Sequence, residues 1–457
     1  MQKIIIVGGG LSGLLVAANL LRRYPHYPAH ITVVEKNPLG ELGQAYSTDH
    51  SFHLLNVAAH KMSAFPEEME GFTRWLTASG YPYNGHSYVP RNIYKQYIFD
   101  TIKKVLSAKG DKLRCTFLND RVVDLKAAEQ LLVLGSGRVI PFDKVILALG
   151  NFEATTLRLA DNDYLNHPAY FPTSWGKEMF KGLSSTGNVL IIGSGLSMVD
   201  TVLYLHQRRH KGPVTALSTH GLTPKPHQEG PPYSLDGFRP EQVGTALEAL
   251  KMVRRHVEKA RQLGMDWHSV VNAIRPYSQE IWLQLTVAEK RKFMEHLRHF
   301  WGVARHRLPN ECSEILNTLI RSGQLSIVAG RIRAILVNQD NSFTVDYKGR
   351  YSQNSTILAA DAIINCMGPE SNYERLEDPL IKNLLRKRLI RTDPLKLGID
   401  CTPEGIVLEG NGQPSPFLYT IGPPTKGVLW ESTSVPEIRV AAVRLSDLVT
   451  STINELV

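Results

Sequence analysis

The sequence predicts an α/β fold of two Rossmann-like dinucleotide-binding domains, the second carrying a mostly helical insertion. Two observations predict it: a glycine-rich strand-turn-helix at the start of the chain, Gly8-x-Gly10-x-x-Gly13, and a second, degraded copy of the same unit that begins near Asn188. The first copy opens with the apolar run 3–7 and turns through the glycines. It then enters a helix with Leu11, Leu14, Leu15, Ala18 and Leu21 on one face, and reaches a second strand at 31–35. The strand 144–150, ending in Gly150, closes it. The second copy runs through strand 188–192, the turn Gly193-Ser-Gly195, a helix and strand 214–218, and closes at 361–368.

Before each closing strand, short alternating segments read as a β-meander: 121–125, 130–134 and 138–142 in the first copy, and 325–328, 331–337 and 342–348 in the second. Residues 1–155 and 370–457 are assigned to the first nucleotide domain and 156–369 to the second. The insertion, about 240–309, has Val243, Leu247, Leu250 and Val253 at helical spacing and reads as a lid or cap.

Composition sets the class. The 457 residues are 43% hydrophobic and 21% charged, enough apolar surface for large cores. The longest apolar runs, 4–7 and 145–149, fall far short of the roughly 20 residues of a membrane span. Met1-Gln2-Lys3 leads into a short strand broken by glycines rather than into a secretory leader, so the cytoplasm is expected. Cys115, Cys312, Cys366 and Cys401 form no Cys-x-x-Cys pair, which gives no zinc site, no other metal and no disulfide framework; all four are expected as buried apolar fillers. The net charge is +9, and its densest part lies between Lys251 and Arg307. A solvated helix face, an anionic cofactor or substrate site and nucleic acid all fit that run, nucleic acid least well.

The first glycine motif fits a dinucleotide. Gly8 allows the tight turn, Gly10 lets a pyrophosphate approach the backbone, and Gly13 lets helix and strand pack closely. The helix start at Leu11 and Ser12 faces the phosphates with free N–H groups and the positive dipole end. Glu35, followed by Lys36, ends the second strand, where a carboxylate accepts hydrogen bonds from ribose hydroxyls and repels a 2′-phosphate. This half therefore prefers FAD or NAD to NADP.

The second motif, Gly193-Ser-Gly195-Leu196-Ser197-Met198, keeps two glycines and replaces the third by methionine. The offset from Gly8 to Glu35 leads here to His220, after Ser218 and Thr219, with no acid in the stretch. A basic or hydroxylic ribose end favours NADPH over NADH. Because histidine titrates near pH 6.5, NADPH preference is expected to weaken as pH rises through that range.

With both halves in view, the chain resembles the bacterial FAD/NAD(P)-binding proteins distantly related to flavin-containing and N-hydroxylating monooxygenases. The likeness runs nearly end to end. It is carried by Gly8 to Gly13, by His53-Leu-Leu-Asn56-Val57 with Met62-Ser-Ala-Phe-Pro66, and by Arg91-x-x-Tyr94-x-x-Tyr97. It continues through Gly193 to Asp200, Arg275-Pro276, Trp301 with Arg305-His-Arg307, and the tail from Ile421 to Arg439.

The resemblance implies a flavoprotein of the two-dinucleotide type with FAD on the first motif. It implies a late strand ending in Gly422 that returns to the FAD domain, and a following helix that points its start at the flavin. Ser432, Thr433 and Ser434 are good helix caps, and Pro436 fits a first turn. Trp430 is expected either beside the flavin or in the core. Asn56, Val57 and Met62 would line the flavin, with Gln44 and Tyr46 on the loop before them and Gly150 at the closing strand. One departure is Thr219, where related chains carry arginine.

The stretch from Gly40 to Phe65 holds no cysteine, which removes the redox dithiol of disulfide reductases. The expected activity is an NADPH-dependent flavin monooxygenase or hydroxylase acting on a small soluble molecule. Alternatives are an NAD(P)H:acceptor oxidoreductase without oxygen insertion, and a non-catalytic flavin-bound sensor or partner-binding protein. His60 and Lys61, near the expected flavin loop, suit proton donation, anionic substrate binding or plain solvation.

Overall fold

The fold is described from a computed structural model, over residues 1–38, 40–107, 112–175 and 180–451. One sheet has the strand order Ile406–Leu408, Pro414–Thr420, Lys144–Leu147, Gln2–Val7, Ala29–Glu35, Arg114–Asn119. Its pairings are parallel except that of the edge strand Ile406–Leu408 with Pro414–Thr420. Ile4, Ile5 and Ile6 are no more than 2% exposed, as a central strand covered on both faces requires.

The helices Leu11–Arg23, Arg91–Ser107 and Val435–Thr450 cover one face in a single core. The other face is covered by the helix Pro379–Arg386 and by a three-stranded meander, Val122–Lys126, Leu131–Leu134 and Val139–Pro141. The late strand thus returns to the first sheet, beside Lys144–Leu147.

The second sheet has the order Ser355–Ala360, Phe343–Gly349, Leu325–Val337, Val214–Ser218, Val189–Ile192, Ala362–Asn365, Tyr170–Phe171. Segments 325–328 and 331–337, read from the sequence as separate, are one strand of 13 residues. Its first part pairs parallel with Val214–Ser218 and its second part antiparallel with Phe343–Gly349. The strand Ser355–Ala360 was not anticipated: it is an edge strand with most positions exposed, so it carries no apolar alternation to read.

The insertion is helical as expected, through Ala246–Gln262, Trp267–Ile274, Ser278–Gln284, Val287–Lys292 and Arg298–Arg305. Thr245 and Glu248 form a reciprocal cap at its first helix, and Asp266 and Thr286 accept backbone N–H groups at two others. Val243 is buried there, but Leu247 is 57% exposed: helical spacing alone did not fix which residues face inward. Cys312, Cys366 and Cys401 are buried, whereas Cys115 is only half-buried on its strand. Among the described residues no helix is long and apolar enough to cross a membrane, and no cluster of His, Cys, Asp and Glu is disposed to hold a metal ion.

One ion pair ties the helix of the first half to that of the second. Arg91 donates from Nη2 to Asp200 Oδ2 at 3.0 Å and from Nε to the Leu54 carbonyl, and its guanidinium lies 4.9 Å from the Trp175 ring. Burial raises the Asp200 carboxyl while Arg91 opposes the rise. Fully buried beside this pair, His53 shares a 2.7 Å hydrogen bond with Thr48 Oγ1. Burial, and after it the neighbouring Arg91 and His50, lower its pKa to about 3.

The unfolded imidazole titrates near 6.5, so the unfolded chain takes up this proton first as pH falls. His53 therefore supports the fold fully above that value and loses its contribution on acidification. The urea midpoint should drop between pH 7 and pH 5, with up to about 2 kcal/mol of the loss arising at this side chain. His53→Gln should flatten that part of the slope; an unchanged slope would assign the loss to other groups.

Candidate functional site

A cavity of about 780 Å³ runs along the carboxyl end of the first sheet. Its lining takes in Gly8, Gly10, Leu11 and Ser12 of the turn, Glu35 and Lys36 after the second strand, Gln44, Tyr46 and Gly150, and Pro423 and Thr433 of the carboxyl-terminal segment. Backbone packing explains the glycines. Gly8 has φ +110°, and a Cβ there would sit 2.3 Å from the Ala148 carbonyl oxygen. At Gly13 a Cβ would sit 2.0 Å from the Gly8 carbonyl oxygen, so this glycine serves the helix–strand contact rather than the cavity wall. Gly10 differs from both: a Cβ there would meet nothing closer than 3.8 Å and would project into the groove.

The groove fits a dinucleotide. Gly10 caps the helix without any side chain occupying its first amides, which leaves those donors for an anion. Glu35 is buried, accepting from Gly9 N at 2.7 Å through Oε2 and from Asn37 N at 2.8 Å through Oε1. Each oxygen keeps lone-pair capacity toward the cavity.

A second cavity, of about 540 Å³, adjoins the first: Ala45, Tyr46 and Thr433 line both. Asn56, Val57 and Met62 line this one and not the groove. So do His60 and Lys61, together with Arg275, Arg305 and Arg307 from the insertion. The basic run therefore divides. Arg254, Arg255, Lys259 and Arg261 are exposed on the helix Ala246–Gln262, while Arg305 and Arg307 turn inward.

The carboxyl-terminal segment holds Arg305 and Arg275 at that wall. Glu431, buried and at φ +66°, accepts from Trp301 Nε1 at 2.7 Å and from Arg305 Nε at 2.8 Å. Glu437 accepts from Arg275 Nη2 at 2.7 Å. His227 donates at the wall through Nε2 to the Asn56 carbonyl at 3.0 Å, and burial holds its pKa at about 4. No cysteine lines either cavity.

Residues of the carboxyl-terminal segment divide between the cavity walls and the framework. Trp430 lines neither cavity; it stacks on Trp282 with ring centroids 4.9 Å apart, inside a small aromatic core. Ser432 donates to the Gly422 carbonyl, and Gly422, at φ +79°, leaves no room for a Cβ against Ser12 Oγ. Ser434 is the cap residue of the helix Val435–Thr450, with Pro436 in the first turn, yet its hydroxyl bonds Glu437 rather than a backbone amide.

The second glycine turn repeats the first. Gly193 has φ +111° and stands against the Cys366 carbonyl, and Gly195 caps the helix Leu196–Gln207 with no side chain in the way. Met198, fully buried, fills the core where the third glycine would stand. Ser218 shares a 2.7 Å hydrogen bond with Ser194, and Thr219 and His220 follow.

Two arginines that sequence spacing did not reveal meet this end. Arg350 donates to the Thr219 carbonyl at 3.2 Å, and Arg298 bonds His299, whose ring lies 4.1 Å from that of His220. Burial, then Arg350 and Arg298, lower the His220 pKa below 6.5. The charge that Thr219 does not supply is thus present, but on groups that do not titrate near neutrality.

Known proteins share this architecture. Residues 5–152 match a family model described as FAD-NAD(P)-binding. No curated protein matches the chain by sequence. Among solved structures, the chain is similar to an ornithine hydroxylase from Pseudomonas aeruginosa, at TM-score 0.64 and 12% identity over 98% of each chain. An L-lysine 6-monooxygenase from Pseudomonas syringae gives TM-score 0.64 and 16% identity over 98% of this chain and 99% of that one. An ornithine N-hydroxylase from Kutzneria sp. 744, in a complex named for reduced FAD, NADP+ and L-ornithine, gives 0.63 and 12% over 98% and 99%. The likeness extends the two-dinucleotide fold over the whole chain.

Two pairs of variants check the assignments. Gly10→Ala should fold with near-normal stability but retain little FAD after purification, whereas Gly13→Ala should lose about 3 kcal/mol of stability through overpacking; equal FAD retention by Gly10→Ala and the parent protein would reject the groove. Arg350→Ser and Arg298→Ser should each raise KM for NADPH about tenfold and leave KM for NADH nearly unchanged. The NADPH/NADH ratio should stay flat from pH 6.5 to 8, in contrast to the expectation from an unperturbed His220.

Proposed function

We propose that the chain is an FAD-dependent oxidoreductase that oxidises NADPH and hydroxylates a small molecule held in the second cavity. The observation that carries this reading is the common wall of Ala45, Tyr46 and Thr433, because a redox group lying along the glycine groove meets a molecule in the second pocket there. FAD held in the groove by the amides at Leu11 and Ser12 and by Glu35 would supply the redox chemistry, hydride acceptance from NADPH and electron delivery to oxygen. The chain binds, orients and shields. The open amides at the start of Leu11–Arg23 hold pyrophosphate, and Glu35 takes the ribose hydroxyls.

The start of the helix Val435–Thr450 brings Ser434 and Val435 to the wall of the second cavity, where its positive dipole end favours negative charge. Residues 1–155 with 370–457 form the FAD part in this assignment and residues 156–369 the NADPH part; 39, 108–111 and 452–457 of the first and 176–179 of the second lie outside the described residues. Arg350, Arg298 and His220 receive the 2′-phosphate. The full-length likeness to two ornithine-hydroxylating proteins and a lysine monooxygenase supports hydroxylation over other flavin chemistries.

A second reading, electron delivery to an acceptor without oxygen insertion, draws on the open rim of the pocket, where the His86 and Glu229 side chains are 79% and 92% exposed. Oxygen insertion demands that water be kept from the reacting centre. The two readings divide on coupling. With substrate present, a hydroxylase should consume one oxygen per NADPH and release little hydrogen peroxide. NADPH oxidation that proceeds at the same rate without oxygen, given a quinone acceptor, would overturn the hydroxylase reading.

A further inference from the structure

The second cavity carries more positive charge than its own carboxylates balance. Lys61, Arg91, Arg275, Arg305 and Arg307 contribute cationic side chains to its wall, and among the described residues the wall's only carboxylate side chain is that of Glu229. Glu229 sits at the rim, 92% exposed and 3.7 Å from His86. Three of the five cations are already paired: Arg91 with Asp200, Arg275 with Glu437 and Arg305 with Glu431. Among the described residues, Lys61 and Arg307 have no carboxylate within 4 Å.

Arg307 is the more telling of the two. It is buried, and neutral acceptors fix its position: the Ala304 carbonyl at 2.9 Å, Asn272 Oδ1 at 3.0 Å and the His268 carbonyl at 3.3 Å. Burying a guanidinium against neutral groups is unfavourable unless something else supplies the opposite charge. Burial and the repulsion of Arg305 pull its pKa down to about 10, and the weaker attraction of Tyr88 and Asp266 does not offset them. Lys61 is lowered by burial and by Arg275, Arg307 and Arg305. An anion in the cavity relieves every one of these repulsions at once.

We infer that the molecule bound in the second cavity is a small dicarboxylate, with one carboxylate on Arg307 and the other on Lys61. This names the substrate class for the hydroxylase reading and rests on it only for the word substrate. It also separates this chain from the structurally similar proteins, whose names specify ornithine and lysine. A side-chain ammonium entering this wall meets two unpaired cations and one rim carboxylate, and is repelled.

Titration calorimetry of the FAD-loaded protein at low salt tests the inference, with succinate, butyrate, inorganic phosphate and 1,5-diaminopentane as probes. Succinate should bind about tenfold or more tightly than butyrate, and the diamine should give no heat. Lys61→Gln, whose parent side chain makes no hydrogen bond within the fold, should weaken succinate about fivefold, and Lys61→Arg should restore it. Arg307→Gln should abolish succinate binding; if that variant does not fold, the Lys61 pair decides alone.

Phosphate binding more tightly than succinate would overturn the two-carboxylate arrangement. So would competitive displacement of succinate by NADP+, which would assign the cations to the cofactor's phosphates. FAD content and the rate of flavin reduction by NADPH, measured on the same samples, keep the two readings apart. A reducible flavoprotein that binds the diamine rejects the dicarboxylate alone, and a succinate-binding protein that cannot be reduced rejects the enzyme reading alone.

Discussion

Arg305 reaches out of the helical insertion to Glu431, 2.8 Å away on the segment that follows the returning strand, and Trp301 adds a second donor to the same carboxylate. One helical turn into the final helix, Glu437 does the same for Arg275. The Arg305 and Glu431 side chains are 11% and 5% exposed, so removing either partner would strand a buried charge at a cost of several kcal/mol. Trp282 stacked on Trp430 supplies the apolar part of the same joint. The insertion is thereby fastened to the first nucleotide half although it emerges from the second. That fastening sets Arg275 and Arg305 in the wall of the second cavity, where Arg307, held by acceptors within the insertion, also stands.

The joint between the two nucleotide helices works on a similar principle. Arg91 belongs to the helix that covers the first sheet, and Asp200 to the helix that leaves the second glycine turn. Both are largely buried, with the guanidinium over Trp175 and His53 packed alongside as a neutral ring. The ion pairs with both partners largely buried thus stand at these joints. Buried ionic contacts of this kind impose a fixed geometry more than they add stability, because desolvation offsets most of the attraction.

The glycine turns behave as local constraints. Each requires a positive φ and a backbone approach that a Cβ would forbid, at Gly8 against Ala148 and at Gly193 against Cys366. The third position is not interchangeable between them. Gly13 presses on the Gly8 carbonyl, whereas Met198 is accommodated in the core of the second half, so that helix meets its strand on different terms.

What could be read in the amino-acid order was whatever depends on neighbours within about 30 residues. The glycine turns, the βαβ starts and Glu35 belong to that class, since turn geometry and strand-to-ribose offset are set by local chain length. The returning strand near Gly422 was legible through its resemblance to related chains. Arg350 and Arg298 were not legible beside His220, because 130 and 78 residues of chain separate them from it and only the second sheet and the insertion bring them there. Trp430 shows the same limit: its sequence position is near the cavity wall, but a tryptophan partner from the insertion draws it into the core. The sequence determined that a dinucleotide binds and which half holds it. Tertiary structure decided which cations go unpaired, since a charge's partner is chosen by proximity in space, which folding alone creates.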